Sequence, residues 1–253
     1  MALTAQQLEA QMPDASQLLS NEPEMESSLH YQQLLILVTA LEWLWRDRQD
    51  FFIGANLTIY FSRQQLRNQD FRGPDFFLVK PTSNDSRTSW VVWEEDGRYP
   101  NFIIELLSDS TAKVDRGLKR KLYQDRFRTP EYFWFSPNTL EFQGFRLAGS
   151  HYESIPPNAQ GWRWSEELGL YLGITAGRLR YFTEDHVLVP TPPEAAEEAR
   201  QDAWQEHQCA EAARQEARQE RQRAEEAQQQ AQQERQRADA LADRLRALGI
   251  DPD

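Results

Sequence analysis

The composition of this sequence changes sharply near residue 190, and the segments before and after this position favour different kinds of structure. Before it, apolar and aromatic runs alternate with turn residues, and seven of the eight tryptophans lie between positions 43 and 164. Large aromatic side chains supply the buried area that a core needs. After it, the chain is almost entirely Ala, Glu, Gln and Arg. We therefore expect a polar leader over residues 1–20, one compact domain over residues 21–190, and a linker with a helical appendage over residues 191–253.

The first part predicts a mixed α/β domain with one sheet and flanking helices. Apolar residues recur at helical spacing between positions 34 and 45, which indicates a helix with one broad buried face. A second helix is predicted over VDRGLKRKLYQDRFR and ends before Pro130. Strands are predicted at FFIGANLTIYF, DFFLV, WVVWEE, NFIIELL, EYFWF and LEFQGFRL, with short β segments over residues 161–189.

Two acidic residues lie inside apolar runs that predict buried strands. Asp75 stands in GPDFFLV, and Glu105 stands in NFIIELLS. A carboxylate in such a strand has no stabilising reason to be there unless it holds a cation or a partner. Either acid taken alone is also explained as a solvated residue at a strand end. The pair, followed by a lysine-rich segment, favours a functional site.

Two carboxylates that converge from neighbouring strands form an oxygen-rich site, which suits Mg²⁺ or Mn²⁺ better than zinc. Such an ion can lower the pKa of a bound water and offset the charge that builds up on a phosphate. The four histidines are far apart in sequence, and HExxH, CxxC, phosphate-binding glycine-loop and Rossmann motifs do not occur.

Lysine is scarce in this chain, and its placement is uneven. Three of the four lysines, Lys113, Lys119 and Lys121, follow shortly after Glu105, whereas arginine is used freely elsewhere. A compact ammonium group differs chemically from a guanidinium fork, so this preference is consistent with a role in orienting water or stabilising negative charge. The alternative is compositional chance on a solvated helix face.

These segments resemble a known protein family. GPDFF, IIELLSDST, DRGLKRKLY and TPEYFWF are similar to the Uma-two family of restriction endonuclease-like proteins, which belongs to the PD-(D/E)XK nuclease superfamily. The resemblance covers about residues 20–190, and related chains often carry a similar tail. It implies a restriction-endonuclease-like mixed sheet flanked by helices, with Asp75 and Glu105 as metal ligands.

The same resemblance shows one departure from the superfamily pattern. The parent motif places a lysine two residues after its second acid, where this sequence has Leu107. In the Uma-two family the lysine looks displaced to the next helix, where Asp115, Lys119 and Tyr123 match a spacing of four residues. These three share one helix face, whereas Lys121 is rotated by about 200° from Lys119. Only one of the two lysines can point inward, and we predict that it is Lys119.

The first helix and the loop after Glu105 offer weaker candidates. Superfamily members often place a glutamate on the first helix near the metal, and Glu26 is the best match; the favoured alternative is an exposed acid stabilised by the helix dipole. We interpret His30 as a helix-face histidine. Residues 108–111 could bind phosphate, but helix capping is the commoner use of such residues.

Charge and cysteine content limit the partners and the compartment. The net charge of −12 argues against contact with nucleic acid over the whole surface. Residues 113–128 nevertheless carry seven basic residues against two acids, and this basic stripe suits a phosphate backbone. No apolar run is long enough to cross a bilayer, the amino end does not predict a signal peptide, and one cysteine cannot form a disulfide within the chain. We expect a cytoplasmic protein without membrane partners.

The residues that form the basic stripe are Lys113, Arg116, Lys119, Arg120, Lys121, Arg126 and Arg128.

The tail shows a heptad pattern over about residues 194–248. A single line of positions, spaced alternately by three and four residues, runs from Ala196 to Leu248 and predicts a coiled coil. Alanine buries little area, and a glutamate interrupts the line every 14 residues. The alternative is a lone solvated helix held by propensity and by pairs such as Arg221 with Glu225. We predict a homodimer joined through this helix, with the core as a further candidate contact.

Together, the residue pattern and the family resemblance imply an endonuclease, dependent on Mg²⁺ or Mn²⁺, that hydrolyses phosphodiester bonds in nucleic acid, with DNA as the expected substrate. Asp75 and Glu105 would hold the ion, and Lys119 would assist the attacking water. The alternative is a non-catalytic nuclease-fold protein that acts as an oligomerisation or interaction module through its C-terminal coiled coil. Leu107 and the acidic overall charge favour that alternative.

Overall fold

A computed structural model describes residues 18–22, 25, 27–62, 73–108 and 112–247, apart from the side chains of residues 113 and 245. The chain divides into two compact units, Met1–Pro193 and Glu194–Asp253. The predicted architecture is confirmed, because a mixed sheet is flanked by helices and a long C-terminal helix follows. The domain limits at residues 20 and 190 stay predictions, as does the coiled coil.

Within the described ranges, the first unit begins with helix α1 and continues through eleven strands and one further helix. Helix α1 spans Ser28–Leu44, α2 covers residues 112–127, and α3 spans Pro192–Ala247. The strands are β1 Phe52–Ala55, β2 Ile59–Tyr60, β3 Phe76–Val79, β4 Trp90–Val91, β5 Phe102–Leu106, β6 Glu131–Phe135, β7 Phe142–Ala148, β8 His151–Ser154, β9 Arg163–Ser165, β10 Leu170–Thr175 and β11 Arg178–Phe182.

Six of the described strands form the main sheet in the order β1-β3-β5-β6-β7-β8. The central pair β5 and β6 is parallel, and α2 is the crossover helix between these two strands. The other neighbours in this sheet are antiparallel. Strands β9, β10 and β11 form a separate antiparallel sheet, and β2 pairs with β4 in parallel.

Side chains of the central strands alternate between two hydrophobic cores, as the two-residue period of a strand requires. On one face, Phe76, Ile104 and Phe133 pack with α1 and the three-stranded sheet. On the other face, Phe77, Ile103 and Tyr132 pack in the core that includes side chains of α2. Apart from Asp75 and Glu105, the sequence runs of β3 and β5 are apolar because these strands are buried on both faces.

Two predicted strands are shorter in the structure than in the sequence interpretation. The run FFIGANLTIYF forms β1 and β2, which join different sheets, because the chain turns at Asn56 with a positive φ of 47°. The run WVVWEE keeps only β4 and then enters a turn in which Glu94 N–H donates to the Val91 carbonyl. In both cases a local turn interrupts an apolar run whose large side chains are buried or partly buried.

Helix α1 is fixed at its first turn to the end of β5. Ser27 is the N-cap, and its hydroxyl accepts a hydrogen bond from His30 N–H. The buried His30 ring then reaches the carbonyl of Leu107, with Nε2 3.2 Å from that oxygen.

Among the described residues, no helix combines the length and the apolar character needed to cross a membrane.

Helix α2 alternates between α-helical and π-helical hydrogen bonding. The α-type segments are Ala112–Val114 and Arg120–Leu122, and the π-type segments are Asp115–Lys119 and Tyr123–Phe127. The helix ends at Arg128, which adopts the left-handed conformation with φ 56°. Single π-helical turns occur frequently at functional sites, so α2 is a natural place to look for one.

Candidate active site

Strand register brings Asp75 and Glu105 together. Phe76 pairs with Ile104 in the antiparallel β3–β5 ladder, so the next position outward places Asp75 opposite Glu105. Their neighbours Phe76 and Ile104 point into the hydrophobic core that contains α1. Because successive side chains of a strand point to opposite faces, Asp75 and Glu105 face the other side of the sheet, which carries α2. The two acids thus share one face and one end of neighbouring strands.

Glu105 is completely buried, with 0% of its surface exposed, and both of its carboxylate oxygens have partners. Tyr123 OH donates to Oε1 over 2.7 Å. Lys119 Nζ lies 3.0 Å from Oε2. Both partners come from α2, which therefore holds this carboxylate from above the sheet.

Lys119 lies at the centre of the charged cluster. Besides Glu105, its Nζ contacts Asp115 Oδ1 at 3.1 Å and the Gly73 carbonyl at 3.4 Å. Only 14% of the Lys119 side chain is exposed. Lys121, two residues further along α2, is exposed to solvent. The structure thus places Lys119 inward and Lys121 outward.

Asp75 is the more accessible of the two predicted ligands. It is half-buried, and its Oδ2 accepts a hydrogen bond from Leu106 N–H over 2.7 Å. This contact fixes the Asp75 carboxylate against the strand that carries Glu105. Among the three acids of the cluster, Asp75 is therefore the one that solvent reaches.

Burial and charge shift the pKa values of the cluster in definite directions. Burial raises the pKa of Glu105 well above its ordinary value, with Lys119 opposing this shift and the neighbouring acids Asp115 and Asp75 adding to it. Burial also raises the pKa of Asp75, against the effect of Lys119. Burial acts to lower the pKa of Lys119, but the acids Glu105, Asp115 and Asp75 outweigh it and raise that pKa above its usual range.

The cluster therefore contains more acidic than basic groups. Within the described residues, the carboxyl groups of Asp75, Glu105 and Asp115 lie around the ammonium group of Lys119. Asp115 is 1% exposed, and its Oδ1 makes no hydrogen bond within the described part of the chain although it is ion-paired with Lys119. A buried excess of negative charge is unfavourable unless a cation offsets it.

The predicted divalent ion fits this donor set in chemical type. Asp75 and Glu105 provide carboxylate oxygens from adjacent strands, which are ligands that Mg²⁺ and Mn²⁺ prefer. In the described residues no group of three or more His, Cys, Asp or Glu side chains is arranged to hold a metal. A two-carboxylate site is still in keeping with Mg²⁺, which usually keeps several waters and takes one or two carboxylates.

Leu107, at the position where the sequence resemblance implies a lysine, is buried in the core on the α2 side of the sheet. Its carbonyl contacts the His30 ring, which also lies 2.8 Å from the Ser27 hydroxyl through Nδ1. His30 is therefore a buried link between α1 and β5, which its helix-face interpretation did not include. Glu26 and residues 109–111 lie outside the described part of the structure.

Sequence reasoning placed Asp115 and Tyr123 on the Lys119 face without giving them a role in the cluster. Their four-residue spacing is the signal that could have assigned them. Gly73 and Glu22 were missed entirely. Glu22 Oε1 accepts hydrogen bonds from Gly73 N–H and from the Thr58 hydroxyl, and so fixes the segment whose carbonyl contacts Lys119.

The described residues of the basic stripe lie on α2 and at its C-terminal end. Arg116, Lys121, Arg126 and Arg128 are exposed, and Arg120 is half-buried. Arg116 pairs with Glu141, and Arg126 stacks over the Phe61 ring at 5.3 Å. Exposed cations thus follow the same helix that carries Lys119 into the cluster.

Comparison with known proteins places the chain in a family. No curated protein matches the sequence. One similar solved structure is a crystal structure of "a putative nuclease belonging to DUF820" from Anabaena variabilis, with 12% identity, a TM-score of 0.43, and coverage of 58% of this chain and 76% of that chain. The family model Uma2, described as "Putative restriction endonuclease", matches residues 6–180. Because this match spans well over half of the sequence, the chain belongs to the Uma2 family.

Proposed function

We propose that this protein is a metal-dependent endonuclease that hydrolyses phosphodiester bonds, with DNA as its substrate and Mg²⁺ or Mn²⁺ as its ion. One observation carries the proposal: Asp75 and Glu105 share one face of the sheet, and Lys119 Nζ lies 3.0 Å from the Glu105 carboxylate. Membership of the Uma2 family supports a nuclease-like hydrolase.

Asp75 and Glu105 are the residues that would hold the ion. When bound, such an ion neutralises charge on the scissile phosphate and lowers the pKa of water. The half-buried Asp75 provides the accessible side of the site, whereas the fully buried Glu105 is fixed by its partners. Leu106 N–H donates to the Asp75 carboxylate and Tyr123 OH donates to the Glu105 carboxylate, and these contacts hold the two groups in place.

Lys119 acts as a charged donor in this mechanism. The surrounding acids raise its pKa above the usual range, so it stays protonated at neutral pH and cannot accept a proton from water. Its N–H groups can orient the attacking water or stabilise negative charge on the phosphoryl oxygens in the transition state. Asp115 and Glu105 hold the ammonium group in position between them at 3.1 and 3.0 Å.

The exposed part of the basic stripe would receive the nucleic-acid backbone. Arg116, Lys121 and Arg126 are exposed on α2, and Arg128 is exposed directly after its last residue. Contacts between such side chains and phosphates position a substrate without reading its sequence. The local stripe also explains how a chain with net charge −12 could bind a polyanion at one place.

The test is metal-dependent cleavage of supercoiled plasmid, linear duplex, single-stranded DNA and RNA. Wild type is compared with Asp75→Ala, Lys119→Ala and the matched control Asp125→Ala, which removes an exposed acid from α2. We expect Asp75→Ala and Lys119→Ala to lose about a hundredfold or more in turnover, as removal of a charge-stabilising group does. The control should retain activity.

Metal binding provides a second measurement that does not require turnover. Mg²⁺ at about one hundred times its Kd should stabilise the wild type by about 2.7 kcal/mol, and Asp75→Ala should show no such gain. Equal cleavage by all variants would indicate a contaminating nuclease and contradict the proposal. Metal-induced stabilisation without cleavage of any substrate would contradict the enzymatic role alone.

A second candidate function is that of a non-catalytic nuclease-fold module that acts through α3. The observation in its favour is Leu107, which is apolar and buried where the superfamily motif has its lysine. In that case Lys119 serves mainly to balance the charge of Glu105 and Asp115. The cleavage assay distinguishes the two functions, because this candidate predicts no metal-dependent activity in the wild type.

A further inference from the structure

Helix α3 is long and exposes a regular pattern of side chains. Its 56 residues span about 84 Å at 1.5 Å per residue. Nearly all of its described side chains are exposed, including Trp204 at 65% and Leu241 at 63%. Residues with high helix propensity can hold such a helix without a partner, so its existence alone does not establish an interface.

The heptad positions of α3 contain a strict internal repeat. From Ala196 onward, a 14-residue unit returns at Ala210 and Ala224, and each unit contains one glutamate on the heptad line. With Ala196 as an a position, every a position up to Ala238 is alanine. The d positions alternate in character instead. They are Ala199, Glu206, Ala213, Glu220, Ala227, Glu234 and Leu241.

This alternation distinguishes an in-register parallel pair of α3 helices from an antiparallel pair. In a parallel pair in register, each d residue faces the same residue of its partner. Glu206, Glu220 and Glu234 would then each meet an identical glutamate at a buried layer. Removing like charges from water and placing them together costs free energy at all three layers.

An antiparallel pair avoids these contacts, because an a residue of one helix then faces a d residue of the other. When Ala224 faces Glu220 of the second copy, Ala238 faces Glu206 and Ala210 faces Glu234. In the same register Ala203 faces Leu241. Every large side chain of the described heptad line then packs against an alanine, and the contacts repeat through the two-fold axis.

Charge along the helix agrees with this orientation. Residues 194–219 carry seven acids and three arginines, whereas residues 220–247 carry six of each. A parallel pair would place the two acidic halves side by side. In the antiparallel register, Arg223 and Arg237 immediately precede the alanines that face Glu220 and Glu206, so each of these glutamates gains a nearby cation.

We propose that α3 is a homodimerisation surface that pairs with α3 of a second copy in antiparallel orientation, with Glu220 of each copy facing Ala224 of the other. The ion pairs within α3 do not compete with this surface. Arg200 with Glu197, Arg214 with Glu211 and Arg246 with Asp243 all use positions outside the a and d line.

Disulfide trapping in the full chain tests both the orientation and the register. Two single-cysteine chains are prepared on a Cys209→Ser background, one with Glu206→Cys and one with Ala238→Cys, and a removable tag on one chain separates the products by size. In the proposed dimer the two different cysteines face each other, whereas two copies of position 206 lie about 48 Å apart. A disulfide requires Cα atoms within about 7 Å.

We expect mixing in a thiol redox buffer to give the mixed disulfide in about tenfold excess over both symmetrical disulfides. The control mixture pairs Glu206→Cys with Ala224→Cys, which is 14 residues out of register, and should give no such excess. Predominant symmetrical disulfides would indicate a parallel dimer and overturn the proposal. Sedimentation of the wild type as a monomer at all concentrations would overturn it as well.

Discussion

A carboxylate without any contact with water persists only where protein groups replace its hydration. Glu105 receives a hydroxyl from Tyr123 and an ammonium group from Lys119, both at hydrogen-bonding distance. Asp75 and Asp115 nevertheless add two further negative charges nearby, and the pKa of Glu105 is raised well above its ordinary value. The residue is thus held in place geometrically while its charge remains only partly compensated.

Tyr123→Phe tests the geometric part of this arrangement. The change leaves the buried Glu105 Oε1 without its donor, and we expect a loss of about 1–3 kcal/mol in the free energy of unfolding measured with urea. Tyr152→Phe is the matched control, because the buried Tyr152 hydroxyl donates to the uncharged carbonyl of Thr129. The Tyr152→Phe variant should lose about 0.5–1.5 kcal/mol in the free energy of unfolding. Equal losses in both variants would show that the charge of Glu105 adds nothing to the contact.

Glu105→Gln tests how the buried charge of Glu105 affects the stability of the protein. Burial raises the pKa of Glu105 above its unfolded-state value near 4.5, so the folded state binds this proton more tightly. The stability that Glu105 contributes is therefore present below about pH 4.5 and is lost as the pH rises through the folded-state pKa. We expect the metal-free variant to be more stable than the wild type at about pH 8, by about 1 kcal/mol, with the difference vanishing near about pH 4.

Urea unfolding across this pH range, with chelator present, measures the effect. Asp125→Asn is the control, since it neutralises an exposed acid on α2 and should change stability by no more than about 0.5 kcal/mol. A Glu105→Gln protein that is less stable than the wild type at high pH would show that the Lys119 contact outweighs the cost of burial.

Asp75, Glu105 and Lys119 could be predicted from the sequence because each differs in residue type from what its surroundings favour. Two acids interrupt apolar strands, and the lysine stands in a chain that otherwise prefers arginine. Asp115 and Tyr123 are ordinary residues for a surface helix, and only the three-dimensional packing shows that both are buried. Glu22 lies 51 positions before Gly73, so no local pattern connects the two.

At the level of elements, the site depends on the register of β3 and β5 and on the rotation of α2 about its own axis, which decides the side chains that point towards the sheet. The apolar runs predicted both strands, and strand periodicity then determined that Asp75 and Glu105 face the same side. The division of residues 51–61 between two sheets was not predicted, although Asn56 is a residue type that tolerates a positive φ and Gly54 lies two positions before it. The π-type segments of α2, in contrast, have no recognised sequence signal.

Two glycine substitutions test how these elements are built. At Gly73 an added Cβ would lie 2.1 Å from the Leu57 carbonyl oxygen, and the Gly73 carbonyl itself contacts Lys119. We expect Gly73→Ala to destabilise the protein by about 1–3 kcal/mol through overpacking and to reduce activity. At Gly117 in α2 an added Cβ meets nothing within 4 Å. Gly117→Ala should therefore stabilise the protein by about 0.5–1 kcal/mol.

Thermal and urea unfolding of both variants provide the comparison, with cleavage measured in parallel. A stabilised Gly117→Ala protein with normal activity would show that α2 tolerates a better helix former between Asp115 and Lys119. A destabilised one would indicate that the π-type segment needs the freedom of glycine at this position. A Gly73→Ala protein of unchanged stability would mean that the Leu57 segment can move aside.

At the scale of the whole molecule, a net charge of −12 opposes any contact with a polyanion except along the basic stripe. If the stripe receives the backbone, each of its exposed cations displaces about one counterion on binding. Lys121→Ala should weaken binding to duplex DNA equally for different sequences and reduce the slope of log K against log salt by about 1. Turnover of bound substrate should not change, because Lys121 points away from the cluster that Lys119 enters.

Fluorescence anisotropy over a range of salt concentrations, with chelator present to prevent cleavage, measures this slope. Lys80→Ala is the matched control, since Lys80 lies outside the stripe and pairs with Glu167 at 3.2 Å. Its removal should leave the slope unchanged. Equal slopes for wild type and Lys121→Ala would contradict the assignment of the outer α2 face to the backbone, whereas a reduced slope for Lys80→Ala would place the contact elsewhere on the surface.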